Sequence, residues 1–252
     1  SQDADEAYYR LQTREMRAAA RAPSTDRRVY SDWNSLMANA LLTCGLTMHR
    51  DAWVQQGLSL LRTVHDLCFD AVNGMAHIWH GKPDVWGLAH DAIAYGSACF
   101  NAYDATGDEL WKDRGLLLAS RLASTHGVGG MVTRLQVPDD PPGFDRPVRD
   151  FHENAYASMW LVRASTLVGS ANEAATLRSV ALDCLAVCDR LYPRYGIHGA
   201  AYGVALRRYL RGDTVEHLSP TVGITCEGGV CRPADYAPPP TAHAGALPPA
   251  SP

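Results

Sequence analysis

Apolar residues recur along this chain at helical spacing, and turn-forming residues cut the pattern into long segments. From Leu177, the positions Val180, Ala181, Cys184, Leu185, Cys188 and Leu191 keep to one face of a helix. Trp33, Leu36, Met37, Ala40, Leu41 and Cys44 repeat the pattern near the start and read as a second core-facing stripe. Similar segments cover roughly 3–20, 51–69, 87–106, 108–125, 149–168 and 197–210, giving about eight helices. No run alternates as a strand would. Asp51, Gly107-Asp108 and Gly169-Ser170 are short breaks, which make neighbouring helices antiparallel. The links 70–86, rich in His and Trp, and 126–148, which holds VPDDPPGFDRP, are longer. The expected fold is all-α: an array of antiparallel helical hairpins over 1–212. Residues 213–252 hold CEGGVC and a Pro/Ala-rich tail that composition marks as disordered, polyproline-like coil.

Composition narrows the function classes. A length of 252 residues buries a sizeable core. Net charge of −4 gives no electrostatic footprint for nucleic acid or an anionic membrane. No apolar run approaches the roughly 20 residues that span a bilayer. Seven cysteines are an odd number scattered over a mid-sized chain, unlike a disulfide scaffold. Five of them (Cys44, Cys68, Cys99, Cys184, Cys188) sit in apolar stripes, where a thiol acts as a small hydrophobe. The expected compartment is therefore reducing and cytoplasmic, or exported or membrane-complex-associated if a leader has been removed.

A family resemblance rests on three stretches. Pro23, Asp26, Arg28, Trp33, Asn34, Leu36 and Met37 stand where bacterial YyaL-type thioredoxin-domain proteins, with their spermatogenesis-associated relatives, carry Pro, Asp, Lys, Trp-Asn, Leu and Met. Gly87 to Trp111, GLAHDAIAYGSACFNAYDATGDELW, resembles their Gly-Phe-Leu-Glu-Asp-Tyr-Ala…Tyr-Glu-Ala-Thr-Gly-Asp segment. CEGGVC followed by Arg232-Pro233 is similar to their terminal Cys-x4-Cys-x-x-Pro. The resemblance implies the C-terminal part of an (α/α)6 barrel, akin to N-acylglucosamine 2-epimerases and six-hairpin glycosidases. The thioredoxin-like domain is not part of this sequence. Of the family's Pro-Ser-Gly-Asn-Ser motif only Asn154 is kept, and about eight helices make half to two thirds of a ring.

Histidines collect in and beside the long links. His90 and Asp91 open one helix, and a His beside a carboxylate can serve as general base. The structural alternative is that Asp91 caps the first turn. His152 and Glu153 open another helix and form a second candidate acid–base pair, suited to sugar epimerisation or hydrolysis. There the alternative is a charged first turn with an Arg149–Glu153 ion pair. Trp33, Asn34, His77, Trp79, His80, Trp86 and Asn154 are candidate substrate-binding residues, the tryptophans as sugar-stacking faces. Trp33 is expected buried between hairpins, with Asn34 bonding backbone of the loop 21–31. His77 and His80, spaced by three without a paired carboxylate, fall short of a metal signature, and no metal or cofactor is expected. Cys226 and Cys231 flank Gly-Gly and are a disulfide candidate in an oxidising compartment.

Two functions follow. The leading expectation is a non-catalytic, barrel-derived subunit or binding module that docks on a partner protein or a second copy. Its open edges would be the segments 3–20 (Tyr8, Leu11, Met16) and 197–210 (Tyr202, Leu206, Tyr209, Leu210). The alternative is a carbohydrate-active enzyme whose acid and base, His90 and His152, share one cavity with Asp91 and Glu153. Nucleic acid is excluded as a partner.

Overall fold

The computed structural model describes residues 2–23, 25–125, 129–135, 146–211, 224–227 and 230–233. The chain divides into two units, Ser1–Asp213 and Thr214–Pro252. Nine α-helices are seen among the described residues, all in the first unit. They are α1 (Gln2–Tyr9), α2 (Arg14–Ala19), α3 (Ser31–Thr47), α4 (Asp51–Cys68), α5 (Ala89–Thr106), α6 (Glu109–Thr125), α7 (Phe151–Leu167), α8 (Ala171–Leu191) and α9 (Ala200–Arg211).

Local chemistry explains the ends of these helices. Gly107 stands at φ 67° and closes α5 by donating its N–H to Tyr103 O at 2.7 Å, the left-handed cap that glycine adopts without strain. Asp150 and Ser170 cap α7 and α8 by accepting from the backbone N–H of Glu153 and Glu173. Thr13 caps α2 in the same way, accepting from Met16 N, so the segment 3–20 is two short helices rather than one.

The helices form hairpins, α3/α4, α5/α6 and α7/α8, and the first helices of successive hairpins stand side by side in the order α3, α5, α7, α9. Asn101 on α5 donates to Asn39 on α3 at 2.5 Å and accepts from Arg163 on α7 at 2.5 Å, a polar line across three inner helices. The main core lies between the layers and holds Leu42, Leu61, Val64, Tyr95, Phe100, Trp111, Leu118, Leu161 and Leu177. Each such side chain contributes about 1.5–3 kcal/mol by leaving water. Close approach is built in at Gly96 and Gly115. A Cβ at Gly96 would overlap the Trp160 ring, and one at Gly115 would overlap Phe100. A smaller cluster joins Phe151, Ala155, Leu185, Cys188 and Ala205, with Tyr202, Leu206 and Tyr209 packed against it.

The link 70–86 is not a loop. Four short strands, β1 (Val29–Tyr30), β2 (Phe69–Asp70), β3 (Gly74–Trp79) and β4 (Pro83–Trp86), form an antiparallel sheet with β3 paired to each of the others. Its register sets Tyr30 opposite Ile78 and Ala76 opposite Trp86. Three of the strands have two to four residues, and β3 lies buried along its first half, so neither length nor alternation revealed them. The sheet lies against α3, α4 and α5.

Two expectations about exposure are corrected. The α3 stripe does not face the core: Trp33 is 67% exposed, and Leu36, Met37, Ala40 and Cys44 are exposed with it. The buried face of α3 is Ser31, Ser35, Ala38, Leu42 and Gly45, small residues that let α4 approach closely. The edge expected at α9 is largely covered, since Tyr202, Leu206 and Tyr209 pack on the second cluster while Leu210 stays exposed. Cys68, Cys99, Cys184 and Cys188 are buried free thiols, and burial pushes Cys184 and Cys188 up to about 12.

In the second unit, β5 (Ile224–Glu227) and β6 (Val230–Pro233) pair antiparallel with Cys226 opposite Cys231 in the backbone register. The disulfide expected there concerns side chains outside the described residues, as does the coil expected for the Pro-rich tail. Among the described residues no helix is long and apolar enough to cross a membrane.

Candidate functional site

Three inner helices point their first turns at one place. Asp32 comes from α3, His90 and Asp91 from α5, and Glu153 from α7. Strand β3 adds His77. The positive ends of three helices thus meet carboxylates in the turn where that interaction is strongest.

Asp91 is the hub. It is fully buried, and its Oδ1 accepts from Ser31 Oγ at 2.8 Å and meets His77 Nδ1 at 2.9 Å. His90 Nε2 stands 3.6 Å from Asp32 Oδ2 and 3.7 Å from Asp91 Oδ1. Its other nitrogen, Nδ1, lies 3.3 Å from Glu153 Oε1. His77 Nδ1 is also 3.9 Å from Asp32 Oδ1. One ligand-type atom from each of Asp32, His77, His90 and Asp91 lies within 4.8 Å of the others. Buried oxygens without a hydrogen-bond partner remain on Asp32, Asp91 and Glu153.

The electrostatics follow from this geometry. The hydrogen bond to Asp91 holds the His77 imidazole above its ordinary pKa, against the opposing cost of burial. Glu153 does the same for His90. Three carboxylates against two imidazoles leave the pocket negative even with both rings protonated, so it favours a cation or a donor-rich ligand.

An aromatic path leads outward. The His77 ring stands edge-on to His90 at 5.2 Å and to Tyr30 at 5.5 Å, and Tyr30 packs on Trp33 at 5.1 Å. Trp33 ends the path with most of its surface in solvent.

The residues expected from sequence divide accordingly. His90, Asp91, Glu153 and His77 come together, and Asp32, which sequence reasoning missed, joins them. Asp91 does not cap α5: its contacts are side chains. Glu153 turns to His90, while Arg149 Nε donates to Gly130 O. His152 does not share the cluster; its ring stands against Phe151 and Tyr195. His80 pairs with Asp84 across the β3–β4 turn at 3.2 Å. Trp79 and Trp86 are half-buried against the main core. Asn34 Nδ2 donates to Tyr30 O at 2.7 Å, the local backbone bond expected of it. Asn154 is fully buried and spends its amide on backbone: Oδ1 accepts from Met131 N at 2.8 Å, and Nδ2 donates to Met131 O and Asp150 O. It braces the segment 129–135 and has no donor left for a substrate.

Comparison with known proteins places the fold. The chain resembles a sugar epimerase from a ruminal bacterium, with TM-score 0.52 and 11% identity over 65% of this chain and 45% of that one. It also resembles an unsaturated glucuronyl hydrolase specific for heparin, with TM-score 0.51 and 17% identity over 72% of this chain and 52% of that one. Both are (α/α)6 barrels of glycosidase-like type, and this chain shares that helical architecture. It spans about half the length of each. No protein-family model and no curated protein matches.

Proposed function

We propose that this chain carries the site of a carbohydrate-active enzyme, a sugar epimerase or isomerase or a glycoside hydrolase, that works by His/carboxylate acid–base chemistry. One observation carries the reading: half-buried Asp32, His77, His90 and Glu153 converge on the fully buried Asp91, beside the half-buried Tyr30 ring and the exposed Trp33 ring. Aromatic faces suit the apolar faces of a sugar, and the cluster supplies proton acceptors and donors at their inner end. The architecture shared with a sugar epimerase and a glucuronyl hydrolase supports the same class. The YyaL-type resemblance, carried by Trp33-Asn34 and the segment Gly87 to Trp111, belongs to this reading as the finer family assignment. His90 and Glu153 are the proposed proton-handling pair, with Trp33 as stacking wall.

The test is turnover on a panel of reducing aldoses and 2-acetamido sugars in D2O, read by NMR, and of unsaturated uronyl disaccharides, read by absorbance. The expected result is activity in one set that falls at least about 100-fold in His90→Ala and Glu153→Ala, as removal of an acid–base group implies, and survives in His152→Ala. Turnover unchanged in His90→Ala would defeat the proposal.

A docking role is favoured by a different observation, the exposed apolar face of α3. Leu36, Met37, Ala40 and Cys44, past Trp33 toward the C-terminal end of α3, lie exposed on one side of an inner helix whose other side is packed by α4 and α5. We propose that a second helical half-ring, from a second copy of the chain, covers this face and buries at least about 1,000 Å². Two chains of this span match the length of one neighbour. Sedimentation across a micromolar range is expected to show a dimer that Met37→Glu dissociates; a monomer throughout would overturn it.

A further inference from the structure

The cluster has the ligand set and dimensions of a metal site. We propose that Asp32, His77, His90 and Asp91 bind one divalent first-row metal ion, with zinc as the fitting probe. Four ligands at about 2.0–2.1 Å from a tetrahedral ion are about 3.4 Å from one another. The separations here are 2.9 Å (His77 Nδ1 to Asp91 Oδ1), 3.6 Å and 3.7 Å (His90 Nε2 to Asp32 Oδ2 and Asp91 Oδ1) and 3.9 Å (His77 Nδ1 to Asp32 Oδ1). They scatter about the tetrahedral edge, and one atom from each of the four residues lies within 4.8 Å of the others, so side-chain rotation on the present backbone brings the set toward one ion.

Two further observations point to a ligand. Asp91 is fully buried and keeps one oxygen unpartnered, and Asp32 Oδ1, facing His77, is unpartnered too. Buried carboxylate oxygens are normally satisfied, and leaving them bare costs more than leaving a neutral group bare. Around the ligands stands the support that metal-binding imidazoles use. Glu153 Oε1 lies 3.3 Å from the far nitrogen of His90, and Ser31 Oγ donates to Asp91. A carboxylate on the second ring nitrogen fixes the tautomer that leaves Nε2 free to ligate. Two imidazoles and two carboxylates suit zinc-class ions better than magnesium or calcium, which take oxygen ligands alone.

Metal binding does not depend on the sugar reading, because it is measured with no sugar present. With the ion bound, His77 and His90 would be neutral ligands of a closed four-ligand set, which would leave proton transfer to Glu153 alone. The experiment uses the full chain after chelator dialysis, titrated with zinc chloride in a calorimeter. X-ray absorption then follows on the one-equivalent complex, in parent and in a Cys226→Ser/Cys231→Ser variant. The expected result is one site per chain at micromolar Kd or tighter. Affinity should fall at least about 100-fold in Asp32→Asn and in His77→Ala and about 10-fold in Glu153→Ala, with His80→Ala unchanged. The absorption shell should hold only nitrogen and oxygen at about 2.0–2.1 Å, including two imidazoles. Absence of binding, a sulfur shell, or equal affinity in Asp32→Asn and His77→Ala would each overturn the proposal. Should either variant fail to fold, the shell composition of the parent decides alone.

Discussion

Replacing Asn154 by alanine tests the scaffold behind the site. The Asn154 amide saturates three backbone groups, Met131 N, Met131 O and Asp150 O, at 2.7–2.9 Å, and both Asn154 and Met131 are fully buried. The segment it braces is tied in turn to α5: Ala89 N donates to Thr133 O at 2.9 Å and Leu135 N donates to Gly87 O at 3.0 Å, immediately before His90. Alanine leaves an N–H and a carbonyl of Met131 unpaired in the interior, each costing about 1–3 kcal/mol. Asp150 O still accepts from the backbone N–H of residue 154, so its loss is small. The expected destabilisation is therefore about 3 kcal/mol. Urea unfolding followed by circular dichroism should show a lower midpoint at constant slope. Asn154→Asp should also destabilise, because an oxygen would face two carbonyl acceptors. A loss below about 0.5 kcal/mol in the alanine variant would refute the bracing role, since no buried pair could then have been broken.

Gly96→Ala should destabilise by about 1–3 kcal/mol in the same assay even though alanine favours helix, because its Cβ meets the Trp160 ring; a gain in stability would show that the α5–α7 contact is looser than drawn. Trp33→Ala should cost less than about 1.5 kcal/mol, the scale of one aromatic pair with Tyr30, since the ring is mostly in solvent. A loss of 3–5 kcal/mol, the range for a buried large aromatic, would restore the burial that sequence alone suggested.

Much of the helical fold was legible because it is local. On α8 the residues Leu177, Ala181, Cys184, Leu185 and Cys188 are all buried, as their spacing requires. On α3 the same rule picked the wrong face. Ser31, Ser35, Ala38 and Gly45 pack there through small size, and periodicity weighs hydrophobicity, not closeness of approach. The sheet escaped because β1 and β2 have two residues each and the longest strand, β3, does not alternate along its buried first half. His90, Asp91 and Glu153 were found in sequence by their position at helix starts. Their association was not, because Glu153 lies far along the chain from His90 and was paired with His152 instead. His77 was noticed but tied to His80, which lies past the end of β3 in the turn to β4 and pairs with Asp84 instead. Asp32 gave only the signal of an acidic residue in a first turn, which most often means a helix dipole partner.

The most direct measurement of the central claim is a histidine side-chain 1H–15N spectrum recorded during titration with whichever sugar the turnover panel selects. His77 and His90 stand at the inner end of the Tyr30–Trp33 aromatic path, His80 on the β3–β4 turn, and His152 against Tyr195. The account predicts that the ring signals of His77 and His90 move together and saturably while those of His80 and His152 stay fixed. Sugar binding that leaves His77 and His90 unmoved, or shifts only His152, would contradict it.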